Sequence, residues 1–135
     1  MNADVIAIDT SALIAIACSE PECVSFIECI TRAEQVLLSS STLLEARVVV
    51  FGKLKHAGFL LLDRIVSERK FLIVTQDKEE IDLAYEAFLL YGKGQGHKAQ
   101  LNFGDLFSYA LAKSRGIPLL YKGEDFDLTD IVSAV

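Results

Sequence analysis

Four short runs of consecutive apolar residues stand out along the chain: Val5–Ile8, Val36–Leu38, Phe71–Val74 and Pro118–Tyr121. None alternates apolar with polar positions. Each therefore reads as a strand buried on both faces, the pattern of a parallel sheet. Between these runs the periodicity turns helical. Ser11–Ser19 and Glu22–Ala33, parted by Pro21, follow the first run. Ser41–Lys55 follows the second, and Gly58–Arg69 begins after a break expected at Gly58. Lys78–Tyr91 carries an apolar stripe at Ile81, Ala84, Tyr85, Phe88 and Leu89, behind an Asp77/Glu80 capping box. Gly104–Arg115 stops at Gly116 and Pro118. Strands alternating with helices predict an α/β protein, a three-layer α/β/α sandwich around a central, mainly parallel sheet of four to five strands. The 135 residues contain no repeat, linker or low-complexity tract, so one domain over 1–135 is expected.

Composition adds an apolar excess. Hydrophobic residues make up 52% of the chain, more than a solitary domain has to bury. Since solitary proteins rarely expose large apolar patches, the excess predicts a face for a partner. Phe59-Leu60-Leu61-Leu62-Asp63-Arg64-Ile65-Val66 is apolar nearly all round. With the Val48–Phe51 stretch it is either that face or a deeply buried core helix. The net charge of −6 is the wrong sign for a generic nucleic-acid binder, unless the acids are gathered around a cation. The three cysteines, Cys18, Cys23 and Cys29, are odd in number and have no histidine nearby. They read as small buried hydrophobes in a reducing compartment, not as a zinc site. The start carries no basic n-region, and no stretch of about 18 apolar residues occurs, so a cytoplasmic protein with no membrane segment is expected.

Four acids occupy chemically suggestive positions. Asp9 follows the first strand directly, and Glu45 lies in the first turns of the helix after the second. Asp105 lies in the first turn of the helix entered through Asn102-Phe103-Gly104, and Asp125 a few residues past the last strand. In a parallel sheet all four belong to the carboxyl end of the strands, where ligands bind. Singly, each has an ordinary explanation. Asp9 could be a turn residue, with Ser11 capping the helix; Glu45 could close a capping box with Thr42; Asp105 could complement a helix dipole. Together they suggest a cluster. Clustered carboxylates raise each other's pKa, and a divalent ion removes the repulsion. Mg²⁺ takes oxygen ligands, keeps several waters and suits phosphodiester hydrolysis. His56 and His97 fall in polar segments expected to be exposed, and no Gly-x-Ser-x-Gly elbow is present. The Gly92-Lys93-Gly94-Gln95-Gly96-His97-Lys98 loop is Gly-rich and basic. Lys93, His97 and Lys98 are candidate contacts to an RNA backbone; the alternative is a solvated connection.

The motifs resemble those of one family. Ile8-Asp9-Thr10-Ser11-Ala12-Leu13 resembles the opening motif of PIN-domain nucleases, and Ser41-Thr42-Leu43-Leu44-Glu45-Ala46 their second acidic motif. Asn102–Ala112 resembles the third. Pro118–Phe126 followed by Thr129-Asp130-Ile131 resembles the ending of many VapC-type toxins. The order and spacing match over essentially the whole chain. The resemblance implies a PIN-like sandwich and a Mg²⁺-dependent (or Mn²⁺-dependent) endoribonuclease. It also implies a homodimer, an RNA substrate and neutralisation by a VapB-like antitoxin. It makes Asp9 and Asp105 the principal metal ligands and Glu45 a further ligand or water-holder, with Ser11 and Thr10 in support. For the fourth acid Glu124, Asp125 and Asp127 compete; Asp125 is preferred, with Asp127 supporting. The apolar Phe59–Val66 segment then becomes an antitoxin groove or dimer face. A haloacid-dehalogenase-like phosphatase needs a second Asp where Ser11 stands, and a receiver domain needs an acidic pair where Asp9 is alone. A catalytically inactive PIN-like binding module remains as the alternative.

Overall fold

The computed structural model describes residues 4–135. β1 (Val5–Ile8), β2 (Gln35–Ser39), β3 (Phe71–Val74) and β4 (Leu119–Leu120) form one sheet in the order β3-β2-β1-β4. Every pairing is parallel, with Ala7 opposite Leu37 on one side and Leu119 on the other. A parallel bridge between Leu119 and Ser133 lays the C-terminal residues along the β4 edge. Five helices cover the sheet: α1 (Thr10–Ala17), α2 (Cys23–Arg32), α3 (Ser40–Val66), α4 (Lys78–Tyr91) and α5 (Phe103–Arg115).

The layers follow from strand geometry, because successive side chains point to opposite faces. Ile6, Ile8, Val36, Leu38 and Leu120 pack with Leu13, Phe26 and Val50 from α1, α2 and α3. Ala7, Leu37 and Leu119 pack on the other side with Ala87 of α4 and Leu106 and Ala110 of α5. The result is the expected α/β/α sandwich. Each crossover helix runs back against the strands. The starts of α1, α3 and α5 therefore gather at the carboxyl edge of the sheet.

Two local expectations are corrected, and one alternative left open by the sequence is decided. β3 is an edge strand, and its Leu72 and Ile73 are exposed, so its apolar run is not buried on both faces. The break in the long helix falls at Lys55 (φ 57°, ψ −145°), not at Gly58. Gly58 is needed for space instead: a Cβ there would stand 2.8 Å from the Val50 carbonyl oxygen and 2.8 Å from Leu54 Cβ. The Phe59–Val66 stretch is not a fully buried core helix. Leu62 and Val66 are buried, while Leu60 and Leu61 face outward.

Candidate active site

After β1 the chain turns into α1, and the residue at that turn must satisfy the helix's first free N–H groups. Asp9 does so, not Ser11. Its Oδ2 accepts from the Ser11 backbone N–H (3.1 Å) and from Ser11 Oγ (2.7 Å). Its Oδ1 accepts from Ser108 Oγ of α5. The carboxylate is only 3% exposed, and these donors are what make its burial tolerable.

Glu45 projects from the second turn of α3. Its Oε1 accepts from Thr10 Oγ1, and its carboxylate rests on Gly104, where a Cβ would come within 1.9 Å of Oε2. The capping box with Thr42 does not form. α3 starts at Ser40, and the Thr42 hydroxyl faces Ser108 Oγ at 3.4 Å. Below Glu45 it is Ala46 and Val50 that are buried; Val49 is half-buried and Val48 is exposed. Asp105 closes a capping box with Asn102, each side chain accepting the other's backbone N–H at 2.9 Å. Its dipole-complementing position and its place in the cluster are thus both real.

Asp9, Glu45 and Asp105 line one open cavity of about 450 Å³, together with Ser11, Asn102 and Lys122. Burial, then the negative charge of Asp9, pushes the Asp105 carboxyl up to about 7, against the Asn102 N–H that lowers it. Asp125 and Glu45 add smaller upward contributions. The donor set is hard oxygen throughout, which suits Mg²⁺ or Mn²⁺ over a softer metal. Among the described residues, no three His, Cys, Asp or Glu side chains are grouped tightly enough to hold a metal between them. The arrangement is an open one in which Asp9 and Asp105 could each offer an oxygen, with waters in the other positions.

The sequence matches the PIN-domain family model over residues 6–132. The chain belongs to the PIN-domain family. It is 40% identical over 126 residues to Ribonuclease VapC of Mycolicibacterium smegmatis, covering 93% of this chain and 97% of that one. It is 41% identical over 127 residues to Ribonuclease VapC30 of Mycobacterium tuberculosis, covering 93% and 95%. Its fold resembles that of Mycobacterium tuberculosis VapC20, described as a sarcin-ricin loop cleaving toxin (TM-score 0.75, 17% identity, 94% and 96% covered). It also resembles Rickettsia felis VapBC2, solved bound to a DNA fragment from their promoter (TM-score 0.74, 16% identity, 96% of each chain covered).

The remaining expected residues of this PIN domain are distributed unevenly. Asp125 is exposed and does not line the cavity, yet its charge reaches Asp105. Asp127 is occupied elsewhere, accepting a hydrogen bond from the Tyr121 hydroxyl. Lys93, His97 and Lys98 do not line the cavity. His97 is half-buried rather than exposed: its Nδ1 accepts from the Ala99 N–H at 2.9 Å, and its ring stands edge-on to Tyr91 at 5.0 Å. Three site residues escaped the sequence reading: Ser108, Asn102 and Lys122. Ser108 had a signal, because it lies three residues past Asp105 and so shares its face of α5. Asn102 had one too, as a helix-capping residue three positions before an acid. Lys122 had none.

Proposed function

We propose that this PIN domain is a Mg²⁺-dependent endoribonuclease and the toxin of a VapBC-type pair, held in check by a VapB-like antitoxin. The observation that carries this reading is the meeting of Asp9, Glu45 and Asp105, from three separate elements, around one open cavity. The names of the VapC relatives support ribonuclease activity, and the VapBC2 assembly supports an antitoxin partner.

When bound, Mg²⁺ supplies Lewis-acid stabilisation of the phosphoryl oxygens and a more acidic water. The protein's part is positional. Asp9 and Asp105 are the oxygens we assign to the ion, with Mn²⁺ able to replace Mg²⁺. Ser11 and Ser108 fix the orientation of Asp9, and Thr10 holds Glu45 where it can accept a proton from an attacking water. Asp125 is the fourth acid in this assignment, acting on Asp105 through its charge.

The test is cleavage of single-stranded RNA by purified protein, with Mg²⁺ and with EDTA. We expect cleavage in Mg²⁺ only, and loss of at least ~100-fold on Asp9→Asn, as for removal of a main transition-state stabiliser. The Asp9→Asn protein is expected to keep its far-UV circular dichroism and to lose growth toxicity. Equal, negligible cleavage under both conditions would make the chain an inactive binding module.

A further inference from the structure

The cavity poses an electrostatic problem for the proposed substrate. A phosphodiester must approach four carboxylates, Asp9, Glu20, Glu45 and Asp105, in a chain whose net charge is −6. Among the described residues that line the cavity, Lys122 is the one cation. Its backbone N–H donates to Ser11 Oγ at 2.9 Å, and that hydroxyl in turn donates to Asp9. The backbone of Lys122 is thus tied to the Asp9 carboxylate through a single side chain. The ammonium lies 2.8 Å from Glu20 Oε1 and 3.2 Å from Glu22 Oε1, at the connection between α1 and α2. Its side chain is 35% exposed, so it can exchange partners without crossing the protein interior. Glu20 also lines the cavity.

A lysine held by two carboxylates at the mouth of an acidic cavity can trade one anionic partner for another. Exchange of a carboxylate for a phosphate leaves no ammonium unpaired, and lysine is a common point-charge ligand of phosphate. Lys93 and Lys98 are not placed at the cavity. We propose that Lys122 contacts the substrate, leaving Glu20 and Glu22 to pair with a backbone phosphate beside the cleaved bond. This rests on the ribonuclease reading above.

The test compares Lys122→Gln, Lys122→Arg and the double variant Glu20→Gln/Glu22→Gln on one single-stranded RNA oligonucleotide. Lys122→Gln is expected to raise KM about tenfold, the size of one charge-assisted hydrogen bond, with kcat changing less. Lys122→Arg, which keeps the charge, is expected to stay within about threefold of wild type. The double glutamine variant frees the ammonium, so its KM is expected at or below the wild-type value. If Lys122 served only to brace the α1–α2 connection, removing the glutamates would raise KM as removing the lysine does; that result overturns the proposal. Binding of the same oligonucleotide in the uncleaving Asp9→Asn background gives a second readout. There Lys122→Gln is expected to flatten the slope of log K against log salt by about 0.7, one single-strand phosphate contact. An unchanged slope counts against the contact. Undiminished cleavage by Asp9→Asn alone would instead remove the nuclease reading itself.

Discussion

Gly104 shows how one missing side chain can set the chemistry. It is the second residue of α5, a position where alanine favours a helix by up to about 1 kcal/mol over glycine. Yet any Cβ there meets the Glu45 carboxylate, 1.9 Å from Oε2. The atom displaced is the far end of a flexible side chain, so the fold can yield while the site cannot. Gly104→Ala is therefore expected to melt at or above the wild-type temperature and to cleave RNA at least about tenfold more slowly, the result of misplacing one catalytic carboxylate. Wild-type cleavage by this variant would show that Glu45 is free to sit elsewhere. Asp105 makes the complementary case. Its carboxyl is raised from 3.8 to about 7, so between those values the folded state holds a proton that the unfolded chain has lost. Stability of the metal-free protein accordingly falls as pH rises through this window and levels off above it. Thermal melts in EDTA are expected to show a lower Tm near pH 8 than near pH 5, with the difference reduced in Asp105→Asn. A wild-type Tm that rises over the same interval would contradict the upward shift that burial, and then the Asp9 charge, impose on Asp105.

At the level of elements, α3 shows both what is legible in a sequence and what is not. Its two apolar stretches were visible as helix, and so was an interruption between them. The interruption falls at Lys55 and not at the glycine. Glycine serves two purposes. It can adopt dihedrals other residues avoid, or it can let two pieces of backbone approach, and a sequence does not say which. Here Gly58 provides the close approach to Val50, while Lys55 carries the left-handed backbone. Lys55→Gly is expected to raise unfolding stability by about 1 kcal/mol through relief of that strain. Gly58→Ala is expected to lower it by about 1–3 kcal/mol through overpacking. Urea titration of both decides, and the opposite order of stabilities would place the break at Gly58 after all. The same reasoning explains the site. Asp9, Glu45 and Asp105 were legible because each sits where a strand ends or a helix begins, and parallel topology brings those places to one edge. Residue type alone does not tell Asp9 from Ser11 as the cap, because serine and aspartate cap helices about equally well. Lys122 was invisible because its meaning depends on Glu20 and Glu22, about a hundred residues earlier, which reach it only once the sheet has formed.

At the level of the whole molecule, the apolar excess of the sequence reappears as surface. Val48 (65% exposed), Phe51 (53%) and Leu60 (54%) lie outward along α3. A second apolar hollow of about 450 Å³ lies between α4 and α5, lined by Ile81, Tyr85, Phe88, Phe103 and Phe107 among others. Large contiguous apolar patches are rare on solitary chains and are where partners bind. The α3 surface is the one we assign to a partner, either the antitoxin or a second copy. Charged substitutions there, Val48→Lys with Leu60→Lys, replace side chains that are more than half exposed, so the isolated chain is expected to melt within a few degrees of wild type. What is expected to change is assembly. Light scattering of the wild-type chain alone, and its recovery with a co-expressed antitoxin, report the two possible occupants separately. Loss of dimer mass in the double-lysine variant identifies a second copy; loss of antitoxin recovery with the mass unchanged identifies the antitoxin. A wild-type chain that runs as a well-behaved monomer and retains its antitoxin equally well with both lysines in place would mean that this surface has no partner. The apolar excess would then have to be accounted for by the α4–α5 hollow, whose Phe103 directly follows Asn102 of the acidic cavity in the chain.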